Sequence, residues 1–191
     1  MFKLLRIFFS NNRENIKDIF SFTVTVFIVV FFVRMLIAAP FVVSGESMEP
    51  TFKNGQYLIV EKISYRINEP KRGDIVVFRL PSTSRFLIKR IMALPGESIK
   101  MDGYNVYINK NDVEDSEFFL LEEEHIKHLH SNNMERTLGE NYFFLLGDNR
   151  SNSVDSRYFG PIHRNDIVGK ALIRLFPFNE MKILPGQKRF D

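Results

Sequence analysis

Ser44-Gly45-Glu46-Ser47-Met48-Glu49-Pro50-Thr51 is a short polar stretch that comes immediately after the only long hydrophobic segment of the chain. The residues before it read as a membrane anchor and those after it as a β-rich domain, so this is where the chain changes character. Glycine, proline and serine are ordinary turn chemistry. Set beside a membrane surface, two serines in such a turn also suit a nucleophile exposed to something emerging from the bilayer.

Working backwards, Ile19 to Val33 carries no charge, and after Arg34 the apolar character resumes through Met35, Leu36, Ile37, Ala38 and Ala39. Residues 19–39 as a helix would extend about 31 Å, which matches a bilayer's hydrocarbon thickness if Arg34 snorkels to the nearer interface. Pro40 is expected to stop that helix. Lys3, Arg6, Arg13 and Lys17 precede the span. Their bias places residues 1–18 in the cytoplasm and everything after Pro40 outside. The apolar region is long for a cleaved signal peptide, and a cut after Ala39 would leave Pro40 first and Ile37 three residues before it. The expectation is an uncleaved signal anchor, crossing the cytoplasmic membrane once.

Length and composition bound the rest. The 191 residues hold an anchor plus one well-filled domain with an insertion. The net charge of +3 comes from 26 basic and 23 acidic residues without a basic stripe, which argues against a nucleic-acid partner. The absence of cysteine removes thiol nucleophiles, thiolate metal sites and disulfides together. Twenty phenylalanines supply much of the apolar area.

Forward from the opening stretch, short β-type runs succeed one another: Phe41–Val43, Tyr57–Val60, Asp74–Phe78, Phe86–Ile91, Tyr104–Ile108, Tyr142–Leu146 and Ile167–Ile173. Asn54-Gly55, Arg72-Gly73-Asp74, Pro95-Gly96, Asp102-Gly103 and Gly147-Asp148-Asn149 punctuate them, the pattern of a mainly β, antiparallel domain. Residues 40–97 and 142–191 are assigned to that domain and 98–141 to an inserted cap. The cap opens on a hairpin, Ser98–Asn109, and continues into the acidic run Val113–Glu124. His125, His128 and His130 come next, but nothing nearby completes a ligand set, so no metal and no cofactor are assigned.

A serine needs a base to act as a nucleophile. His163 lies in a polar turn after Gly160-Pro161 and the other histidines in the insertion, which leaves Lys89 within Phe86-Leu87-Ile88-Lys89-Arg90-Ile91-Met92-Ala93-Leu94-Pro95-Gly96. A lysine drawn into apolar surroundings loses the hydration that favours its ammonium and becomes a neutral amine near physiological pH. The competing reading is a strand lysine pointing to water, with Arg90 on the opposite face. A third stretch, Gly147 to Gly160, is dense in short polar groups. A calcium loop starting at Asp148 would put Arg150 and Ser153 at its third and sixth positions and Phe159 where the last carboxylate belongs, so that reading fails. Pairing of Asp148 and Asp155 with arginines would instead stiffen a loop.

These three stretches, with Arg72-Gly73-Asp74-Ile75-Val76-Val77-Phe78 between the first two, resemble the ordered sequence boxes of the bacterial type I signal peptidases, in particular the short single-anchor Gram-positive type. The resemblance implies a serine endopeptidase that cleaves N-terminal signal peptides from exported preproteins at the outer membrane face. Ser47 would be the nucleophile and Lys89 the general base. Ser153 would orient the Lys89 amine, and Asp148, Arg150, Asp155 and Arg157 would hold the framework. The oxyanion would bind at the Ser47 amide. Some family members add a hydroxyl two positions before the nucleophile, but here that position is Gly45 and Ser44 is one place off. Substrate would lie extended between the chain leading to Ser47 and the strand leading to Lys89, with Phe41, Val43, Ser44, Leu87 and Ile88 lining the groove. Phe176-Pro177-Phe178 would dip into membrane lipid or pack a strand end. Two alternatives stay open at this point: another Ser-Lys processing peptidase, of conjugative pilin or LexA-like type, and a non-catalytic membrane-anchored β-domain.

Overall fold

The computed structural model describes residues 2–103, 105–110, 117–121 and 133–186. The chain divides into two compact units, Met1–Ala39 and Pro40–Asp191.

The first unit is helical. Helix α1 spans Phe2–Phe32 and continues as a π-helical turn over Val33–Ile37. Asn15–Ile37 is long and apolar enough to cross a membrane, and none of it is buried within the protein. Its two threonine hydroxyls are satisfied by the helix's own backbone: Thr23 and Thr25 donate to the carbonyls of Ile19 and Ser21, each at 2.8 Å. The helix ends at Ile37, ahead of the expected stop at Pro40. Proline disfavours helical geometry at the residue before it, Ala39, and the extended backbone of the following strand begins one residue earlier, at Ala38, with φ −152° and ψ 150°.

Twelve strands and two short helices make up the remaining regular structure among the described residues: β1 (Ala38–Val42), β2 (Tyr57–Glu61), α2 (Ser64–Ile67), β3 (Ile75–Arg79), β4 (Phe86–Ala93), β5 (Ser98–Asp102), β6 (Asn105–Asn109), β7 (Phe119–Leu120), β8 (Met134–Thr137), β9 (Tyr142–Leu146), α3 (Ser156–Phe159), β10 (Ile162–His163), β11 (Ile167–Phe176) and β12 (Lys182–Ile183), besides short 3-10 turns. They form an eight-stranded sheet ordered β1-β2-β11-β3-β4-β9-β10, with β12 paired to β11, and a four-stranded sheet ordered β7-β6-β5-β8. The described pairings of both sheets are antiparallel. The strands expected from sequence are present, most of them longer than the apolar runs that announced them; Tyr104 lies outside the described residues.

The run Ile75-Val76-Val77-Phe78 lacks polar alternation because β3 is covered on both faces. Ile75 and Val77 join one core with Val43, Met48, Phe52, Leu58 and Ile88. Val76 and Phe78 join another with Ile91, Phe143 and Leu145. A third core lies under the four-stranded sheet, where Ile99, Met101, Val106 and Ile108 meet Met92, Ala93, Phe144 and Leu146 of β4 and β9. Each fully buried side chain of this kind stabilises the fold by about 1.5–3 kcal/mol. A buried ion pair stands beside this third core: Arg72 Nη2 lies 2.5 Å from Glu97 Oε1, and Arg72 Nη1 donates to the Met92 carbonyl.

Strand β4 carries the arrangement that positions the site. It pairs with β3 from Phe86 to Arg90, Val76 opposite Lys89 and Ile75 opposite Arg90. Strand β9 meets only its second half, from Arg90 to Ala93, so among the described residues Phe86 to Lys89 have no ladder partner on that side. Strand β1, at the end of the sheet order, likewise has one open edge.

Candidate active site

Ser47 sits in a tight turn, closed by hydrogen bonds from Glu49 N to Glu46 O at 3.1 Å and from Phe52 N to Met48 O at 2.9 Å. Met48 and Phe52 are fully buried, so apolar pins on the far side of the turn hold Ser47 at the surface. Lys89 reaches it from β4, with Nζ 2.6 Å from Ser47 Oγ. Only 3% of Lys89 is exposed. Burial pulls its ammonium down from the ordinary 10.5 to about 8; Asp155 and Asp148 oppose the fall and Arg157 adds to it. A serine hydroxyl in contact with a desolvated amine is a nucleophile beside its base.

The third stretch clamps the first. Asn149 N donates to the Ser47 carbonyl at 3.0 Å, Asn149 Nδ2 to the Glu46 carbonyl at 3.2 Å, and Asn152 Nδ2 to Glu46 Oε2 at 3.1 Å. Gly147 lies against the same turn: a Cβ there would sit 2.5 Å from the Ser47 carbonyl oxygen and would overlap the Ser153 side chain. Gly147→Ala must therefore push the Ser47 turn out of register with Lys89. A displacement of about 1 Å at a reacting centre can reduce rate about a hundredfold, so kcat should fall by that order while circular dichroism still reports a folded protein.

The four framework candidates are buried together around this loop. Asp148 accepts from Arg90 Nε at 2.7 Å and Arg90 Nη2 at 2.6 Å, a bidentate pair, and from Thr51 Oγ1 at 2.5 Å. Arg90 also donates to the carbonyls of Gly73 and Gly186, at 2.9 and 2.6 Å. Asp155 accepts from Gly147 N at 3.0 Å and from Arg157 Nε and Nη2, both at 2.8 Å, and it caps α3. Arg150 Nε donates to the Gly147 carbonyl at 3.0 Å, and Arg157 Nη2 donates to the Arg150 carbonyl at 2.7 Å.

Sequence reasoning left Arg90 out as a side chain on the face opposite Lys89. It is on that face, yet its exposure is 0%, because both faces of this strand are covered. The available signal was a Lys-Arg pair inside an apolar run too continuous to have a wet side.

Ser153 departs from expectation. Its Oγ is buried and makes no hydrogen bond among the described residues, so the anticipated contact with the Lys89 amine is not formed. Lys89 is turned to Ser47 Oγ instead. The Ser47 amide donates no hydrogen bond among the described residues, leaving it open to an incoming oxygen. Gly45 has φ +91°, a conformation that strains any side-chain-bearing residue, and its amide is engaged by Asn54 Oδ1 at 3.0 Å. His163 Nδ1 accepts from Asn165 N at 3.2 Å and its ring packs on Tyr142. His125, His128 and His130 lie outside the described residues.

Phe41, Val43, Ser44, Leu87 and Ile88 line a narrow cleft of about 70 Å³ that ends at Ser47 and Lys89. Val42, Leu58, Val77 and Phe86 complete it, and the Phe41 and Phe86 rings meet across it with centroids 5.5 Å apart. Elsewhere Phe176 packs edge-on against both Tyr57 and Phe178, and Phe178 stays 73% exposed.

Comparison with known proteins bears on this geometry. The profile of the family described as signal peptidase, peptidase S26, matches residues 16–176. The chain is 37% identical over 159 residues to a signal peptidase I of Leptolyngbya laminosa, covering 78% of this chain and 74% of that one. It is 34% identical over 176 residues to signal peptidase I P of Bacillus subtilis subsp. natto, covering 89% and 94%. It is 32% identical over 181 residues to signal peptidase IB of Staphylococcus aureus, again 89% and 94%. A solved signal peptidase I from Enterococcus faecalis superposes with a TM-score of 0.46 at 27% identity, over 55% of this chain and 97% of that one. Matched over most of its length by that profile, the chain belongs to the signal peptidase family, peptidase S26.

Proposed function

We propose that the chain is a membrane-bound serine endopeptidase that removes N-terminal signal peptides from exported preproteins at the outer face of the cytoplasmic membrane. The observation that carries this reading is the 2.6 Å contact between Ser47 Oγ and the buried, pKa-lowered Lys89 amine. Neutral Lys89 accepts the Ser47 proton as the oxygen attacks the scissile carbonyl. The oxyanion takes the free Ser47 N–H, and the new ammonium protonates the leaving amine. Lys89 then draws a proton from the water that hydrolyses the acyl-enzyme. Ser153 takes the role of orienting the amine once Lys89 releases Ser47, a reading supported by its buried hydroxyl, which has no hydrogen-bond partner among the described residues. Asp148, Arg150, Asp155 and Arg157 hold the loop that fixes the Ser47 carbonyl.

The open edges of β1 and of Phe86 to Lys89 suit an extended peptide that pairs with both. A 70 Å³ cleft admits small side chains and excludes large ones, which selects small residues one and three positions before the cut. The basic residues before the span place the N-terminus inside, with residues 19–39 as the single anchor, 40–97 and 142–191 as the catalytic domain and 98–141 as its cap. Confining enzyme and preprotein to one membrane face raises their effective concentration, and the exposed Phe176 and Phe178 rings add a contact with lipid.

A lysine base gives this reading a pH signature. Below about 8 Lys89 holds its proton and cannot accept another, so kcat/KM should rise about tenfold per pH unit up to about 8 and level off above it. A flat profile from pH 6 to 10 would remove Lys89 as the base.

A further inference from the structure

We propose that Glu46 selects for a cationic residue in the first positions after the cut; this rests on the peptidase reading. Two clefts meet at Ser47 and Lys89. The narrow one, between Phe41 and Phe86, belongs to residues before the scissile bond. The second is open, about 580 Å³, and is lined beyond Ser47 by Gly45, Glu46, Asn54, Asn152 and Val154. A chain that passes Ser47 from the narrow cleft enters the open one, so the residues beyond the cut lie there.

Glu46 and Lys89 are the ionisable side chains lining this open cleft. In the reactive state Lys89 is a neutral amine, which leaves the Glu46 carboxylate as the cleft's charge. Glu46 makes no ion pair with a described residue; its carboxylate accepts from Asn152, a neutral donor. That donor, with Asn149 Nδ2 on the Glu46 carbonyl, holds the carboxylate at the rim without neutralising it. A tethered carboxylate has less rotamer freedom to lose when a cation arrives, the condition under which an exposed pair contributes most. The partner is an ammonium or guanidinium on the leaving side of the substrate, and an acidic residue there is repelled. Exposure keeps the effect to a few-fold per residue, and salt diminishes it.

The test uses the full-length protein in detergent and three peptides that differ only in the two residues after the cut: both Lys, both Gln or both Glu. At low ionic strength kcat/KM should fall in the order Lys, Gln, Glu, with Lys over Glu by about tenfold, and the ratio should shrink toward one in high salt. Glu46→Gln should bring the ratio within about twofold, and Glu46→Lys should invert it. Equal cleavage of the three peptides by the wild type, or an unchanged ratio in Glu46→Gln, would overturn the assignment of Glu46. Failure to cut any of the three would overturn the peptidase reading and this inference with it.

Discussion

Ser47→Ala is expected to lower signal-peptide cleavage by about a millionfold, the order found when a serine protease loses its nucleophile, and to leave the protein folded. Among the described residues the removed hydroxyl hydrogen-bonds Lys89, and the buried Met48 and Phe52 that pin the turn are untouched. Lys89→Met is the sharper companion. Methionine keeps an unbranched, buried stem but carries no charge, and the loss of the general base should reduce kcat by about 10²–10⁴. Its effect on stability runs the other way. Lys89 titrates near 8 in the folded protein against about 10.5 unfolded. Between those values the unfolded chain holds the proton more tightly, so in the wild type this group makes folding more favourable as pH rises from about 8 to 10.5. Below 8 the fold carries a buried ammonium. Lys89→Met should therefore unfold no more easily than the wild type at about pH 7 and should lose this lysine's share of the rise in stability above pH 8. A variant that is inactive because it is unfolded would fail both measurements.

The second large effect concerns stability. Arg90 and Asp148 form a fully buried ion pair, with side chains 0% and 1% exposed. Removing Asp148 takes the carboxylate from the buried Arg90 guanidinium, and removing Arg90 takes the bidentate donor from Asp148; breaking a buried pair in this way costs about 3–5 kcal/mol. Against a typical stability of about 5–15 kcal/mol, Arg90→Ala and Asp148→Ala should each lower the unfolding midpoint by many degrees. Arg90→Lys should not rescue, because an ammonium cannot reproduce the two-pronged contact with Asp148 while reaching Gly73 and Gly186. The double variant Arg90→Met/Asp148→Leu should be less destabilised than the sum of the single losses, since neither charge is stranded. Thermal unfolding of the wild type, Arg90→Met, Asp148→Leu and the double variant measures the coupling directly.

The local features were largely legible in the sequence. The apolar helix, the punctuating turns and the β5–β6 hairpin about Asp102-Gly103 each depend on neighbours in the chain, and Tyr142–Leu146 appears as strand β9 with the bounds of its apolar run. Ser47 and Lys89 were marked by residue type and register, and the structure brings them together across 42 positions. Features that stayed hidden depend on long-range placement. Nothing local says that β11 inserts between β2 and β3, or that the four-stranded sheet shares a core with β4 and β9. The buried Arg90–Asp148 and Arg72–Glu97 pairs arise from that placement. A strand covered on both faces loses the alternation from which facing is read, so a charge within it looks exposed until its partner is known. The Ser153 hydroxyl illustrates a different limit: a family pattern names a neighbour, but which neighbour the lysine engages is decided by local geometry.

The most direct test of the Ser47–Lys89 reading is incubation of the purified full-length protein with a purified preprotein, with both products identified by intact mass. A single cut after a small-x-small sequence, present with the wild type and absent with Ser47→Ala and Lys89→Met, is the predicted result. Equal cleavage by the Ser47→Ala protein, or none by the wild type at about pH 9, above the point where Lys89 becomes neutral, would contradict it.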